Sequence, residues 1–179
     1  MNSETKEVDH NAALLEALKI LSRRDYFREE LRRRLLRKDF PKAAVEAAVR
    51  RCQDLGYLDD EALAVRFAES RAIHRGWSPL KIQVELRRRG VGEERARSAS
   101  SISGELRSLA LKKSLSRAEA RAPKEWWRGR AGRRPLLSSL LRRGFDAEES
   151  LRAIEALAVE REGQHDEKTD EPGDPDEFS

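Results

Sequence analysis

The sequence predicts an all-α fold, an elongated array of three tandem three-helix repeats with helix-turn-helix-like units. Leucine, alanine and valine recur at helical spacing, and glycine or proline stands at the ends of the short periodic segments. One six-residue pattern also occurs three times, at residues 35–40, 86–91 and 140–145. It consists of a leucine, a variable residue, a basic pair (Arg or Lys), a turn residue and an apolar residue. Such internal recurrence is typical of repeat arrays, in which each unit packs mainly on its neighbours.

The first repeat is predicted over residues 12–57, after a flexible N-terminus at 1–11. Pro41 can open its third helix, and Gly56 can close that helix. Cys52 falls in the apolar series of the same helix, which favours a small buried hydrophobe over a reactive thiol. The apolar positions of the first two helices are Leu14, Leu18, Leu21, Leu31 and Leu35.

The second repeat is predicted over residues 58–103. Asp59 is expected to cap its first helix, because acidic residues follow in the first turn, where the helix dipole favours negative charge. The pair Asp59 and Asp60 could in principle bind a metal instead. Gly76 is expected to end that helix, and Ser78, which precedes a proline, is expected to cap the next one.

The third repeat is predicted over residues 104–162. Its long first helix should run from about 105 to 122, and a basic loop containing tryptophans should follow at 124–134. Pro135 should start the next helix. Residues 163–179 are acidic and rich in proline and glycine, so a disordered tail is predicted there. Because its charge is opposite to that of the middle of the chain, this tail is expected to shield the basic residues.

Charge is strongly segregated along the chain. Residues 17–145 contain 33 Lys and Arg against 16 Asp and Glu, whereas the remaining residues contain 4 against 17. The middle of the chain should therefore attract a polyanion or an acidic protein surface. Basic residues that merely keep a solvated face soluble are the alternative, although such a face usually mixes both signs.

Three tryptophans stand beside basic residues. Trp77 could stack on a base or a partner side chain, but it could also fill the gap between two helices of its own repeat. Trp126 and Trp127 lie among arginines. That arrangement suits stacking on single-stranded nucleic acid or anchoring in a protein pocket, and packing at a hinge is the alternative.

No motif in the sequence points to catalysis. The three histidines have no carboxylate or cysteine at catalytic or metal-ligand spacing, and no glycine-rich phosphate loop occurs. No apolar run approaches the roughly 20 residues that cross a bilayer, and the first residues do not form a signal peptide. We expect a cytoplasmic protein that is not an enzyme and needs no cofactor or metal.

Residues 56–60, Gly-Tyr-Leu-Asp-Asp, and residues 76–79, Gly-Trp-Ser-Pro, closely resemble the central signature of the RecX family of regulatory proteins. Arg23-Arg24 with Glu30-Leu31 resembles the first repeat of that family, and residues 140–145 resemble the third. The resemblance covers about residues 18–157. The chain departs from the family pattern at Phe27, where a small capping serine is common, and in the arginine-rich linker that carries Trp126 and Trp127.

This resemblance implies tandem three-helix repeats in a curved, elongated monomer that lodges in the groove of the RecA filament on DNA. It implies inhibition of RecA ATPase, strand exchange and co-protease activity, and so modulation of recombination, DNA repair and the SOS response. Weak binding to single- and double-stranded DNA is also implied. The candidate RecA- and DNA-binding residues are Arg32, Arg33, Arg34, Arg37, Lys38, Arg71, Arg75, Lys81, Arg87, Arg88, Arg89, Trp126, Trp127, Arg142 and Arg143.

Two other functions remain open at this point. A direct helix-turn-helix-like DNA-binding protein would also be strongly basic, but no single recognition helix stands out, and groove-facing Asn or Gln residues are scarce. The other is a helical scaffold without a partner, whose charge serves solubility alone.

Overall fold

The computed structural model describes residues 3–169, with side chains for residues 9–166, and every regular element in that range is helical. The predicted all-α class is therefore confirmed. None of the described helices is long and apolar enough to span a bilayer. The helices are α1 Ser3–Leu21, α2 Arg28–Leu36, α3 Lys42–Asp54, α4 Asp60–Arg75, α5 Pro79–Arg88, α6 Glu93–Ser100, α7 Gly104–Glu119, the 3-10 helix η1 Trp126–Arg128, α8 Arg130–Arg142 and α9 Ala147–Thr169.

The recurring six-residue pattern ends the middle helix of each three-helix unit. We call the units repeat 1 (α1–α3), repeat 2 (α4–α6) and repeat 3 (α7–α9 with η1). The turn residues Asp39, Gly90 and Gly144 have φ angles of 62°, 91° and 83°. All three are left-handed, a conformation that favours glycine and tolerates aspartate better than most residues. The leucines that precede these turns, Leu35, Leu86 and Leu140, are fully buried.

The buried residues form two hydrophobic cores. Repeat 1 has its own, which includes Leu31, Val45 and the fully buried Cys52. Burial raises the pKa of the Cys52 thiol, as expected for the predicted small buried hydrophobe. Repeats 2 and 3 share the second core, which runs from Ala64 to Ala158. Repeats 2 and 3 thus form one packed body, and repeat 1 is attached to it.

Phe27 joins repeat 1 to the shared core. It precedes the first residue of α2 and is 1% exposed, and its ring meets Phe67 of α4 edge-on at a centroid distance of 6.3 Å. It has no side-chain oxygen with which to cap α2. The carboxylate of Glu30 instead accepts a hydrogen bond from the Phe27 N–H at 3.3 Å. Phenylalanine at this position therefore adds a buried contact between repeats.

Polar contacts surround Phe27 at the joint between repeats 1 and 2. Arg66 pairs with Asp25 at 3.0 Å, and Asp60 accepts a hydrogen bond from the Arg28 N–H at 2.8 Å. A Cβ atom at Gly90 would lie 2.5 Å from the Glu29 side chain, so glycine is required for this close approach as well as for the turn.

The joint between repeats 2 and 3 is held by backbone contacts. The Ser114 hydroxyl donates to the Gly76 carbonyl at 2.5 Å, and the Ser78 N–H donates to the Arg143 carbonyl at 3.0 Å. Ser78 also caps α5 as predicted, since its hydroxyl accepts from the Lys81 N–H at 3.3 Å.

Both predicted flexible ends are helical over part of their length. Helix α1 begins at Ser3 and not after residue 11, and α9 continues past residue 163 to Thr169. Extending a helix that is already packed costs less than nucleating a new one, so segments with little apolar surface can continue it. The rest of the predicted tail lies outside the described residues, and so does its shielding role.

The basic loop predicted at 124–134 is only partly a loop. It contains η1, and α8 begins at Arg130, so Pro135 lies inside that helix and does not start it. The first turn of α8 is fixed by η1. Gly132 packs against the backbone of Trp126, and the Arg133 guanidinium donates to the Trp127 carbonyl at 2.8 Å.

We expect Phe27→Ala to lower the free energy of unfolding by about 3 to 5 kcal/mol, because it leaves a cavity in the shared core. Urea unfolding followed by circular dichroism measures this loss. Tyr57→Ala is the control, since the Tyr57 side chain is 59% exposed and its removal should change stability by about 0.5 kcal/mol or less. Equal losses for the two variants would contradict the role assigned to Phe27.

Candidate binding surface

A basic pair follows the buried leucine in every repeat, and helical geometry separates its two members. Each residue advances about 100° around an α-helix. The first member, two residues after the leucine, therefore points about 200° away from it, toward the opposite side of the helix. The second member lies about 300° around and returns to the flank of the core. First members are Arg37, Arg88 and Arg142, and second members are Lys38, Arg89 and Arg143.

The second members are bound within the molecule. Lys38 pairs with Glu16 at 3.0 Å, and this hydrogen bond lowers the pKa of the Glu16 carboxyl. Arg89 lies 3.3 Å from Glu30 of repeat 1 and 3.6 Å from Glu85. Arg143 donates to the Ser139 carbonyl at 3.1 Å and to its hydroxyl at 2.5 Å. These residues therefore contribute to the fold of their own chain.

The first members are exposed and unpartnered. Across the described residues, Arg37, Arg88 and Arg142 take part in no ion pair or side-chain hydrogen bond. Three equivalent positions of the repeat thus present guanidinium groups that have no carboxylate to neutralise them. Each is available to a phosphate or to an acidic side chain.

A groove of about 630 Å³ lies between repeats 1 and 2 and is strongly basic. We call it the junction groove. Its two carboxylates, Glu30 and Glu85, are both engaged by Arg89. Tyr26 lies in the groove under two cations, with the Arg24 guanidinium 4.0 Å and the Arg34 guanidinium 5.6 Å from its ring centroid. The arginines lining the groove are Arg24, Arg33, Arg34, Arg37, Arg88 and Arg89.

Arginine and aromatic side chains continue from the junction groove across repeat 2. The guanidinium groups of Arg89 and Arg71 each lie 4.7 Å from the Phe67 ring centroid, and Arg71 lies 5.5 Å from Trp77. The Arg71 Nε is buried and has no hydrogen-bond partner in the described structure. Burial, followed by the charges of Arg89 and Arg75, lowers the pKa of Arg71. Aromatic faces hold this cation instead of a carboxylate.

A second basic cluster lies at the joint between repeats 2 and 3. Burial lowers the pKa of Arg143, and the charges of Arg117, Arg121 and Arg142 lower it further. None of these four arginines pairs with a carboxylate among residues 9–166. Lys81 connects this cluster to repeat 2, since its ammonium lies 5.8 Å from the Trp77 ring centroid and its backbone packs against Gly144. The junction groove, the Arg71–Trp77 contact and this cluster together form what we call the basic band.

Several of the predicted binding residues are paired with carboxylates of the chain itself. Arg32 pairs with Glu46 at 2.7 Å, and this hydrogen bond raises the pKa of Arg32. Arg33 is bound by Glu29 at 3.0 Å. Arg87, at 3.6 Å from Glu93, is also paired, as are Lys38 and Arg89. Acidic residues of the same helix or of other helices reach these cations, so the surface with unpaired cations is narrower than the arginine clusters indicated.

The structure shows how the three tryptophans pack. Trp126 is 4% exposed and belongs to the shared core, so it packs at the hinge and is not open to a base. Trp127 is half-buried and meets Trp126 and His165 edge-on, at 6.2 Å in both cases. Trp77 packs against the shared core and meets Phe67 edge-on at 6.5 Å, as the gap-filling interpretation predicted.

The predicted set lacked some cationic and aromatic residues of the basic band, among them Arg24, Tyr26, Arg117 and Arg121. Arg117 has no acidic residue three or four positions away, a signal that the sequence contains. Nothing local to Arg24 and Tyr26 reveals that they face repeat 2.

The carboxylates of Asp59 and Asp60 serve helix ends and the joint between repeats. Asp59 accepts from the N–H groups of Glu61 and Ala62 at 3.0 and 2.9 Å, which is the predicted cap. Within the described part of the chain, His, Cys, Asp and Glu side chains form no group of three that could hold a metal.

Comparisons with known proteins agree with the repeat architecture. Residues 13–52 match the family model "RecX, first three-helix domain", and residues 59–99 match "RecX, second three-helix domain". Among solved structures, "Crystal structure of RecX from Lactobacillus salivarius" superposes with a TM-score of 0.68 at 20% identity. The superposition covers 87% of this chain and 97% of that one, so the likeness of fold extends well beyond the two matched domains.

The curated relatives are named after the same family as the two matched family models. A "Regulatory protein RecX" of Thermus thermophilus is 45% identical over 82 residues, 46% of this chain and 56% of the relative. That of Pelodictyon phaeoclathratiforme is 37% identical over 87 residues, 48% of this chain and 54% of the relative. The chain thus spans about half the length of the curated relatives it matches. With two consecutive family models matched in the order of the repeats, and with a matching fold across all three, the chain belongs to the RecX family.

Proposed function

We propose that the chain binds the RecA–DNA filament as a monomer and inhibits RecA ATPase, strand exchange and co-protease activity. It would thereby modulate recombination and the SOS response in the cytoplasm, as a regulator that catalyses no reaction of its own. The observation that carries this proposal is the set of unpartnered arginines Arg37, Arg88 and Arg142, at equivalent positions of three repeats.

A filament suits such a surface. It presents the same acidic groups and phosphates at regular intervals, so a protein whose cations recur along three repeats can make several weak contacts at once. Linked contacts of this kind raise the overall affinity far above that of any one of them. The guanidinium group can bind a carboxylate or a phosphate through two parallel hydrogen bonds, which gives each contact a preferred geometry.

A direct helix-turn-helix-like DNA-binding protein is the alternative. The basic band is compatible with it, because a basic surface attracts DNA phosphates whatever the sequence of the DNA. Its chemistry would require a third helix that enters the major groove N-terminus first. The third helix of repeat 1, α3, has no acidic residue in its first turn. The other two do, since α6 begins with Glu93 and Glu94, and α9 carries Glu148 and Glu149 in its first turn. These carboxylates would meet the phosphate backbone at the point where a recognition helix needs positive or neutral groups.

Replacing Arg37 and Arg88 together with glutamate should raise the concentration needed for half-inhibition of RecA ATPase on single-stranded DNA by at least about tenfold, a change of about 1.4 kcal/mol in binding free energy. Arg89 is left intact, because its loss would unpair Glu30 and Glu85. Arg50→Glu/Arg51→Glu is the matched control. Both residues are exposed near the C-terminus of α3, outside the basic band. An unchanged inhibition curve for the Arg37/Arg88 variant would refute the assignment.

Binding to bare DNA and to RecA-coated DNA across a salt series should separate the two functions. We expect weak, sequence-independent binding to bare DNA and tighter binding to the coated strand. Each lost phosphate contact on single-stranded DNA lowers the slope of log K against log salt by about 0.7. Arg37→Gln/Arg88→Gln should therefore flatten the slope for bare single strands by about 1.4 if both residues contact phosphates. Tight, sequence-specific binding to bare duplex would support the alternative.

A further inference from the structure

A second groove, of about 760 Å³, has the opposite charge to the basic band. It is formed by α4, α6 and the beginning of α7, so it lies on repeat 2 and on the start of repeat 3. We call it the acidic groove. The lining residues that matter here are Glu61, Val65, Glu69, Glu94, Ile102 and Leu106.

The floor of the acidic groove is apolar and firmly supported. Ile102 and Leu106 are half-buried and pack against the shared core of repeats 2 and 3. Val65 lines the same groove and is 43% exposed. Because the three elements belong to one packed body, the groove is shaped before any ligand arrives, and a ligand would lose little free energy in ordering it.

The rim of the groove carries carboxylates without partners. The side chains of Glu61, Glu69 and Glu94 take part in no ion pair or hydrogen bond with the described residues. Glu93 differs, because it pairs with Arg87 at 3.6 Å and with Arg97 at 3.7 Å. Arg95 is the one cation among the lining residues. The acidic groove thus carries unpaired carboxylates around an apolar floor, although residues 17–145 contain about twice as many basic as acidic residues.

This combination defines the chemistry of the occupant. Phosphates and acidic protein surfaces would be repelled by the rim, and a purely apolar segment would leave three carboxylates beside it without compensation. A protein segment that carries lysine or arginine beside apolar side chains satisfies both the rim and the floor.

We propose that the acidic groove binds a lysine- or arginine-bearing segment of the RecA subunits, while the basic band contacts the phosphates and acidic surfaces of the same filament. This inference rests on the proposed function and names the partner of a second site. Two sites of opposite charge orient the chain on the filament, because exchanging their positions would place like charges together. The groove contributes to binding only where DNA is coated with protein.

Neutralising the rim tests the proposal. Glu61→Gln/Glu69→Gln/Glu94→Gln keeps the side-chain shapes and should weaken binding to RecA filaments on single-stranded DNA by at least about tenfold, which is about 1.4 kcal/mol. Binding of the same variant to bare single-stranded DNA should be unchanged or slightly tighter. The control is Asp54→Asn/Glu148→Gln/Glu162→Gln, which removes three exposed carboxylates outside the groove. Glu148 also stands in a first helical turn, and it pairs with Arg152 at 3.2 Å within α9. The control variant should bind filaments like the unaltered chain.

A single substitution tests the groove by blocking it. In Val65→Lys the new ammonium stands four residues from both Glu61 and Glu69 on α4, a spacing that allows ion pairs and supports the helix. The side chain would cover the apolar floor and neutralise the rim from within. Filament binding should fall as it does in the triple glutamine variant, with the helical circular dichroism unchanged.

The outcomes separate this proposal from the proposed function. If the unaltered chain does not bind RecA filaments, both are overturned. If the unaltered chain binds and the rim variant binds equally well, the acidic groove is not the RecA site, although the proposed function stands. A loss of the same size in the control triple would also overturn the groove, because it would show an effect of net charge alone.

Discussion

The buried leucine of each middle helix constrains which basic residues this molecule exposes to a partner. A left-handed turn follows each leucine within four residues. Leu35, Leu86 and Leu140 fix the rotation of their helices against the core. The two members of the basic pair directly before the turn then cannot be equivalent. One returns to the core flank, where Glu16, Glu30, Glu85 or Ser139 binds it, and the other points to solvent. Triplication of this unit produces three unpartnered guanidinium groups without any dedicated recognition element.

The connections between repeats give the surface its shape. Repeats 2 and 3 share a core, whereas repeat 1 is joined through Phe27 and a few polar contacts. The junction groove spans that joint, with arginines on both walls, so like charges face one another across the least apolar connection in the chain. A bound anion would relieve this repulsion. Binding at the groove and the stability of the joint are therefore expected to be linked.

Local chemistry made much of the fold predictable, and distant pairing made the rest unpredictable. The cap at Asp59, the turns at Gly90 and Gly144 and the burial of Cys52 depend on neighbouring residues, so the sequence predicts them correctly. The ion pair of Arg89 with Glu85 is local, but its pairing with Glu30 is not predictable in this way, since Glu30 lies 59 residues away in sequence. The sequence alone is enough to predict which member of each basic pair faces solvent, because each residue advances about 100° around the helix from the buried leucine.

The exposure of the first basic residue of each pair can be measured directly by arginine-specific modification with phenylglyoxal and mass spectrometry, on the free chain and on the chain bound to RecA-coated DNA. If the first members of the basic pairs contact the filament, Arg37, Arg88 and Arg142 react readily in the free chain and are protected in the complex. Arg50 and Arg51 should react equally in both. Equal modification of Arg37, Arg88 and Arg142 in the free and bound chain would contradict this contact with the filament.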